Sequence, residues 1–455
     1  MNRFEEVPMS DKMYRLSFIV SALFFAVAFS LFYYTDLQSL TIWTTNVWDT
    51  IASCGNLREY YAYSAQNLYD LDHVMVGSDI LIYIPWAVWN LPIWLLQKHF
   101  DMPIVEHAGM LFYSKCFLLL VFALILYLAD QIAKQLIPDT SDRKKILFLS
   151  STSFFVLTAI AYIGQNDVFV IAPFLAGVLA LLKGQKRRFL LWAALSIAFK
   201  PFMAFSLIAL LLLYEKNLLK IMAGAVCGFS LYFGQKLLFM GAPSYAESLE
   251  YGPMQGAVTL LFQYVLGIPR NGASFFMLGL GVVYILAYFT VIREEKKFQY
   301  TIYFATAPLI MLFIFTQYEF YRPIYLVPLL YILFMTKPAY YRTNLILDMV
   351  STVSLIIYYL FSEPLFYHPG YIPGKDISIY TIPSIYLHAV PYVENYYFYI
   401  PGALFMLGMI MMLVINHPSF ESKNEVLTRK EESWLILFRS LIYAIPLLIS
   451  VKIRF

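Results

Sequence analysis

The sequence predicts an all-α protein that crosses a membrane many times, and two observations lead to this prediction. Of the 455 residues, 60% are hydrophobic and 13% are charged, at a mean hydropathy of +0.66; an average soluble domain is roughly 45–50% apolar and about 25% charged. The 32 Lys+Arg and 29 Asp+Glu residues stand in short clusters between long apolar runs, which is typical of a polytopic helical membrane protein. Both observations argue against a soluble multi-domain enzyme and against a disordered or fibrous chain.

About thirteen apolar segments are expected to cross the membrane. They lie near residues 16–34, 108–134, 146–163, 167–183, 189–200, 201–214, 218–238, 274–292, 300–317, 321–336, 345–361, 398–415 and 435–452. Because basic residues mark the cytoplasmic ends of such segments, Arg3, Lys12 and Arg15 place the N-terminus in the cytoplasm. The first segment is longer than a cleaved signal and lacks a small-residue cleavage site, so it is expected to be retained.

The apolar segment 79–100 is the exception. Counted as a crossing, it would put the later basic clusters on the wrong sides of the membrane. Its prolines and tryptophans are helix-breaking or interfacial residues, so we expect a helix lying along the outer surface. Residues 35–107, 164–167, 200–201, 239–273, 317–323 and 362–397 then share the outer face. Active chemistry is therefore expected there.

Asp49 is the candidate general base of the outer loop. It lies between predicted crossings and is flanked by Trp43 and Trp48, a setting in which a carboxylate can accept a proton. The alternative is a helix N-cap, because a helix-like stretch follows it. Asp70 and Asp72 form a DxD pair that can ligate Mg²⁺ or Mn²⁺ through oxygen, although such a pair in a loop is usually just solvated.

Two further polar positions interrupt apolar runs. Gln165, Asn166 and Asp167 separate two predicted crossings. Inserting an Asp into a membrane costs about 2.5–3.5 kcal/mol of free energy, so an Asp at such a place usually has a function. A tight turn, with Asn166 and Asp167 capping the next helix, is compatible with the same residues. Lys200 has no charged neighbour in the sequence. Its ammonium at the outer face suits a phosphate, and snorkelling to that surface is the alternative.

A third polar island contains Tyr318, Glu319 and Arg322. The guanidinium can hold a phosphate bidentately or simply pair with Glu319. The six histidines and three cysteines form no pair at metal-ligand spacing, so no cofactor is expected, and a divalent metal is not favoured. The net charge of +3 comes without a concentrated basic patch, so no nucleic-acid partner is expected.

Taken in this order, the motifs resemble those of the GT-C superfamily of integral-membrane glycosyltransferases, which use polyprenyl-phosphate sugars. Within that superfamily, the chain resembles the enzymes that add the first mannose of GPI anchors and bacterial polyprenol-phosphate-mannose-dependent mannosyltransferases. The resemblance covers the first outer loop to about residue 215, and the island near 317–328. It is carried by Asn46-Val47-Trp48-Asp49, Leu68-Tyr69-Asp70-Leu71-Asp72, Tyr83-Ile84-Pro85-Trp86, Gly164-Gln165-Asn166-Asp167, Ala198-Phe199-Lys200-Pro201 and Gln317-Tyr318 with Pro328.

The resemblance implies a GT-C-like bundle with a catalytic module at 1–215 and a variable module at 216–455. It implies inverting transfer of a hexose, with mannose favoured, from a polyprenyl-phosphate donor to a lipid-linked or glycan acceptor, on the outer or lumenal face and among membrane lipids. Asp49 is then the base, and Lys200 and Arg322 bind the donor phosphate. The substrate-binding residues would be Gln165, Asn166, Asp167, Tyr318, Glu319, Asp70 and Asp72. Metal dependence stays open, because the family's acidic element is reduced here to Asn46-Val47-Trp48-Asp49.

Two other functions remain alternatives. A lipid-linked oligosaccharide flippase or another transporter would suit membrane-embedded Asp167, Lys200 and Arg322, but such carriers usually have repeated halves, and the sequence contains no such repeat. A polysaccharide polymerase or ligase is the alternative among enzymes. A bacterial plasma membrane is favoured over the endoplasmic reticulum, because the chain carries no retention signal.

Overall fold

The computed structural model of the protein describes residues 11–66, 76–100, 102, 104, 107–137, 139–251, 265–266, 273–316, 321–362, 396–420, 428–442 and 445. The regular structure within these ranges is helical, apart from a two-residue antiparallel ladder that pairs Val265–Leu266 with Ala273–Ser274. The predicted all-α class is therefore confirmed for the described part of the chain.

The α-helices are numbered along the chain. They are α1 (Asp11–Leu31), α2 (Thr35–Cys54), α3 (Tyr60–Gln66), α4 (Ile84–Trp89), α5 (Leu91–Phe100), α6 (Ala108–Ala133), α7 (Thr140–Ser151), α8 (Phe154–Val156), α9 (Val168–Leu182), α10 (Lys186–Phe199), α11 (Ala204–Tyr214), α12 (Leu218–Phe239), α13 (Tyr245–Tyr251), α14 (Phe275–Phe289), α15 (Lys297–Phe315), α16 (Leu329–Thr336), α17 (Tyr341–Ser362), α18 (Tyr396–Ile415) and α19 (Arg429–Ile442). A π-helix, Leu157–Ile163, continues α8. Short 3₁₀ turns lie at Leu57–Glu59, Ile80–Ile82, Pro201–Met203, Glu294–Lys296, Arg322–Leu326 and Pro338–Tyr340.

Each of the thirteen predicted crossings overlaps a helix, but helix length limits what each can span. Among the described residues, four helices are long and apolar enough to cross a membrane, or six if each of two bent pairs counts as one span. Helices α10, α11 and α16 have 14, 11 and 8 residues. At 1.5 Å per residue they measure about 21, 16 and 12 Å, less than the ~30 Å of a bilayer core. A membrane protein is thus supported, and the count of thirteen stays a prediction.

The first outer segment is more ordered than the sequence suggested. Residues 35–54, expected in a loop, form α2, a helix of 20 residues. The expected single surface helix at 79–100 is instead α4 and α5, bent by 68° at Asn90. The Asn90 amide donates to Thr44 Oγ1 at 2.8 Å and to Ser114 Oγ at 3.0 Å, so the bend is fastened to α2 and α6.

Burial along the helices shows which of them lie inside the bundle. Of the helices long enough to span a membrane, the one that ends at Phe315 is the most enclosed, and 83% of its apolar stretch is buried. Helix α12 instead exposes large apolar side chains, among them Leu219, Val226 and Leu237. Such a face is costly in water and favourable against lipid tails, so α12 lies at the periphery.

Candidate functional site

All three of the polar positions singled out in the apolar sequence contribute residues to one place, around Asp167. The carboxylate is 1% exposed, and its Oδ1 accepts hydrogen bonds from Lys200 Nζ at 2.5 Å and from the Tyr325 hydroxyl. Asp167 occupies the N-cap position of α9, but its side chain caps no backbone N–H there. The interpretation of this side chain as a helix cap is therefore wrong, because both of its contacts are with distant elements.

Lys200 is held at the end of α10. It leaves the helix in an extended conformation immediately before Pro201, which cannot continue the hydrogen-bond ladder. Its side chain is 15% exposed and forms an ion pair with Asp167. The sequence showed Lys200 without a charged neighbour, and the fold supplies one from 33 residues earlier.

Arg322 supplies a second cation to the same place. It opens the 3₁₀ turn Arg322–Leu326, which also carries Tyr325, and it is half-buried. Its guanidinium is close enough to interact electrostatically with the Asp167 carboxylate. Asp167 therefore has one cation beside it from Lys200 and another from Arg322.

A second carboxylate, which the sequence argument did not select, joins this cluster. The amide of Gln165 donates to Asp36 Oδ2, and Gln165 lies two residues before Asp167. Gly164 makes the approach possible because it adopts φ +79°, in the left-handed region. Asp36 is the first charged residue after the first apolar run, and that position was the available signal. Asn166 lies between Gln165 and Asp167 and is buried, and its main-chain carbonyl accepts a hydrogen bond from the N–H of Phe169.

Asp49 lies elsewhere. It is inside α2, 4% exposed, and accepts hydrogen bonds from Trp94 Nε1 at 3.0 Å and Lys98 Nζ at 2.8 Å. Its predicted place in a loop and the alternative as an N-cap are both wrong, because the helix begins fourteen residues earlier, at Thr35. Asp49 follows Asp36 by thirteen positions in α2, about 20 Å along the helix axis. Asp49 and Asp36 therefore lie at different levels of the molecule.

Several predicted site residues lie outside the described residues. These are Asp70 and Asp72, in 67–75, and Tyr318 and Glu319, in 317–320. The suggested pairing of Glu319 with Arg322 lies outside them for the same reason. Among the residues that the structure describes, no three His, Cys, Asp or Glu side chains are grouped so that they could hold a metal ion.

The fold also buries charged groups that the sequence argument passed over. Lys115 has no exposed surface and lies beside the end of α1. Asp348 and Arg439 form an ion pair of 2.8 Å, each 1% exposed. Asp79 pairs with Lys236 at 3.1 Å and accepts the Tyr245 hydroxyl at 2.8 Å. In the sequence each lies in or beside an apolar run, and only the three-dimensional arrangement reveals its partner.

The cluster defined by Asp36, Gln165, Asp167, Lys200 and Arg322 is the candidate site. It combines two cations, which can bind a phosphate, with two carboxylates, which can accept a proton or a hydroxyl hydrogen bond. Comparison with models of known families, with curated proteins and with solved structures gives no match to this chain. Any function therefore has to be argued from these residues.

Proposed function

We propose that this protein is an integral-membrane glycosyltransferase of the GT-C type. It transfers a hexose, with mannose favoured, from a polyprenyl-phosphate donor to a hydroxyl of a lipid-linked or glycan acceptor. The observation that supports this is the cluster in which Lys200 and Arg322 flank the buried Asp167, beside a second carboxylate at Asp36. A lipid-linked phosphate needs cations at the membrane edge, and the acceptor hydroxyl needs a nearby base.

The reaction is a single displacement. The base takes the proton of the acceptor hydroxyl while its oxygen attacks the anomeric carbon from the face opposite the donor oxygen. The bond from the anomeric carbon to the phosphate oxygen breaks, and polyprenyl phosphate leaves with the electron pair. Lys200 and Arg322 stabilise the negative charge that grows on this leaving group. One carboxylate suffices, and the configuration of the transferred sugar inverts.

Two carboxylates are candidates for the base. Asp49 follows from the family resemblance, but it is engaged by Lys98 and Trp94, about 20 Å along α2 from Asp36. Asp36 is joined to the cationic cluster through Gln165. A base must come within hydrogen-bond reach of a hydroxyl that attacks a carbon next to the donor phosphate. That requirement favours Asp36, with Asp49 as the alternative.

The proposed topology has about thirteen crossings, a cytoplasmic N-terminus and the cluster at the outer or lumenal face. Helices α4 and α5 would lie along that face, where the partly exposed Trp89 and Trp94 suit the interface. Residues 1–215 would form the catalytic module and residues 216–455 the variable one. The donor, the acceptor and membrane lipids are the partners, and a bacterial plasma membrane is favoured over the endoplasmic reticulum.

A flippase or transporter of lipid-linked sugars is the second candidate. It is favoured by the ion pair of Asp167 and Lys200, because buried charge pairs between apolar helices also occur on substrate pathways. A polysaccharide polymerase or ligase would use the same cations on a lipid diphosphate. These alternatives differ in whether a glycosidic bond forms and in which donor is consumed.

The test uses the full-length protein reconstituted in liposomes. Radiolabelled polyprenyl-phosphate mannose or glucose is supplied with lipid-linked and soluble glycan acceptors, and both transfer and donor movement across the bilayer are measured. Covalent transfer by the wild type is expected. Lys200→Met and Arg322→Met are expected to raise the donor KM at least tenfold, because each removes a charge-assisted contact worth ~1.5–3 kcal/mol.

Lys98→Met is the matched control. It removes a lysine side chain that pairs with Asp49 rather than with the cluster, and it is expected to leave the donor KM unchanged. Donor movement without a covalent product would favour the transporter. Transfer that requires a lipid-diphosphate donor would favour the polymerase or ligase.

A further inference from the structure

A buried ammonium stands behind the candidate site. Lys115, in α6, is 0% exposed, and its Nζ donates to the backbone carbonyls of Phe29 at 3.1 Å, Phe32 at 2.8 Å and Ala161 at 2.5 Å. An ammonium has three N–H donors, so all three are used on main-chain oxygens. Among the described residues, Lys115 makes no ion pair with a carboxylate.

The three carbonyls belong to two chain segments that end near each other. Phe29 lies in the last turn of α1, where carbonyls lack partners within the helix, and Phe32 is the first residue after it. Ala161 lies in the last turn of the π-helix Leu157–Ile163, where the carbonyls also lack partners further along the helix. One side chain therefore joins the end of α1 to the π-helix.

Each segment leads directly into the cluster. Asp36 follows Phe32 by four residues, Gln165 follows Ala161 by four residues, and the two side chains are hydrogen-bonded to each other. We infer that Lys115 is a positioning residue of the candidate site. It holds the end of α1 against the π-helix, and thereby sets Asp36 beside Gln165 and orients the turn that carries Asp167. Any effect of Lys115 on sugar transfer rests on the proposed function. Its positioning of Asp36 and Gln165 is independent of that function.

The chain offers a matched comparison in Lys337. That side chain also donates to three main-chain carbonyls at a helix end, those of Ile415, His417 and Phe420 at 3.4, 2.6 and 2.7 Å. The same loop receives Lys296, which precedes α15, whereas Arg322 follows α15. Lys337 is therefore the same kind of clamp at the other end of α15 from the cluster.

Cross-linking tests the positioning without any assay of activity. Asp36→Cys and Gln165→Cys are combined in a protein whose Cys54, Cys116 and Cys227 are replaced by Ser, and the rate of reaction with a short bifunctional thiol reagent is measured in native membranes. Lys115→Met is expected to lower that rate about tenfold, a coupling of the size found for residues that share partners. Lys337→Met is expected to change it less than twofold.

A second cysteine pair monitors the fold as a whole. Asn344 in α17 and Asn416 directly after α18 are hydrogen-bonded to each other at 2.8 Å, so Asn344→Cys with Asn416→Cys should cross-link at one rate with or without Lys115. If Lys115→Met slows both pairs, the milder variant Lys115→Gln is used, because it keeps N–H donors one bond closer to the backbone. It must then slow the pair at residues 36 and 165 and leave the second pair unchanged. Unchanged cross-linking there in every Lys115 variant would overturn the inference.

Kinetics supply the second readout where transfer is observed. Displacement of a base by about 1 Å can cost roughly 100-fold in rate, so Lys115→Met is expected to lower kcat with little change in the donor KM. In the Lys115→Met protein, adding Gln165→Leu should lower kcat little further. In the Lys337→Met protein, Gln165→Leu should lower kcat as much as it does in the wild type. A wild type that transfers no sugar contradicts the proposed function and leaves the cross-linking result to decide the role of Lys115.

Discussion

The ammonium of Lys200 lies 2.5 Å from Oδ1 of Asp167, and this contact joins the end of α10 to the start of α9. Tyr325 donates to the same oxygen from a third element. A charge buried at this position is tolerable only while it is paired. The stability of the bundle and the geometry of the cluster therefore depend on the same contact.

Breaking this pair is expected to destabilise the protein. Asp167→Asn should cost on the order of 3 kcal/mol in the free energy of unfolding, because it leaves the ammonium of Lys200 without its counter-charge. The double variant Asp167→Asn/Lys200→Met should lose less than the sum of its two single variants. Thermal unfolding of the purified protein in detergent measures all three, and additive losses would mean that the pair is not coupled.

The two candidate bases can be separated by neutral, nearly isosteric substitutions. Asp36→Asn is expected to lower kcat by about 10²–10⁴, the usual contribution of a positioned general base. Asp49→Asn is expected to lower it less than about tenfold, because Asp49 lies about 20 Å along α2 from the cluster. Initial rates of hexose transfer check this. A large loss with Asp49→Asn and none with Asp36→Asn would return the role of base to Asp49.

The C-terminal helix α19 is fastened by a buried ion pair. Arg439 Nε contacts Asp348 Oδ2 at 2.8 Å, and its other nitrogens donate to the Tyr331 hydroxyl at 2.7 Å and to the hydroxyl of Thr152 at 2.8 Å. Arg439→Met is expected to cost about 3–5 kcal/mol in the free energy of unfolding, because it leaves the Asp348 carboxylate buried without its charge partner.

The control for this variant is the exposed pair of Arg342 and Glu431, whose side chains are 46% and 44% exposed at 3.7 Å. Arg342→Met removes the same kind of side chain and is expected to cost less than about 1 kcal/mol. Both variants are compared by thermal unfolding. Equal shifts would contradict the claim that burial decides the difference.

Close packing of α17 on α18 depends on Gly408. A Cβ added there would lie 2.2 Å from Ser351 Oγ and 3.6 Å from the Leu347 carbonyl oxygen. Gly408→Leu is therefore expected to cost about 1–3 kcal/mol or more through overpacking. At Gly281, in α14, a Cβ would meet nothing within 4 Å, so Gly281→Leu should be neutral or slightly stabilising. An equal fall in unfolding temperature for the two variants would contradict the claim that Gly408 is packed closely against Ser351.

Composition and the long apolar runs were enough to predict helices at the thirteen segments, because a backbone buried among lipid tails or other helices requires internally satisfied hydrogen bonds. They did not predict the length of each helix. Breaks such as Thr152–Ser153 and Asn90 are set by side-chain contacts with other helices, which no local pattern records. The order of the crossings placed residues 35–54 in an outer loop, whereas their polar side chains in α2 bond to α4, α5 and α6.

The sequence alone determined which residues were unusual. Asp167, Lys200 and Arg322 stand out because charged side chains between apolar runs are rare and costly. Only the tertiary structure decided their partners. It brought Lys200 to Asp167, added Asp36 through Gln165, and put Asp49 in a separate contact with Lys98. The physical reason is that the free-energy cost of a charged side chain in an apolar segment depends on its neighbours in the chain, and these can be read from the sequence. Pairing instead depends on which helix ends meet, and buried groups such as Lys115 help to fix that.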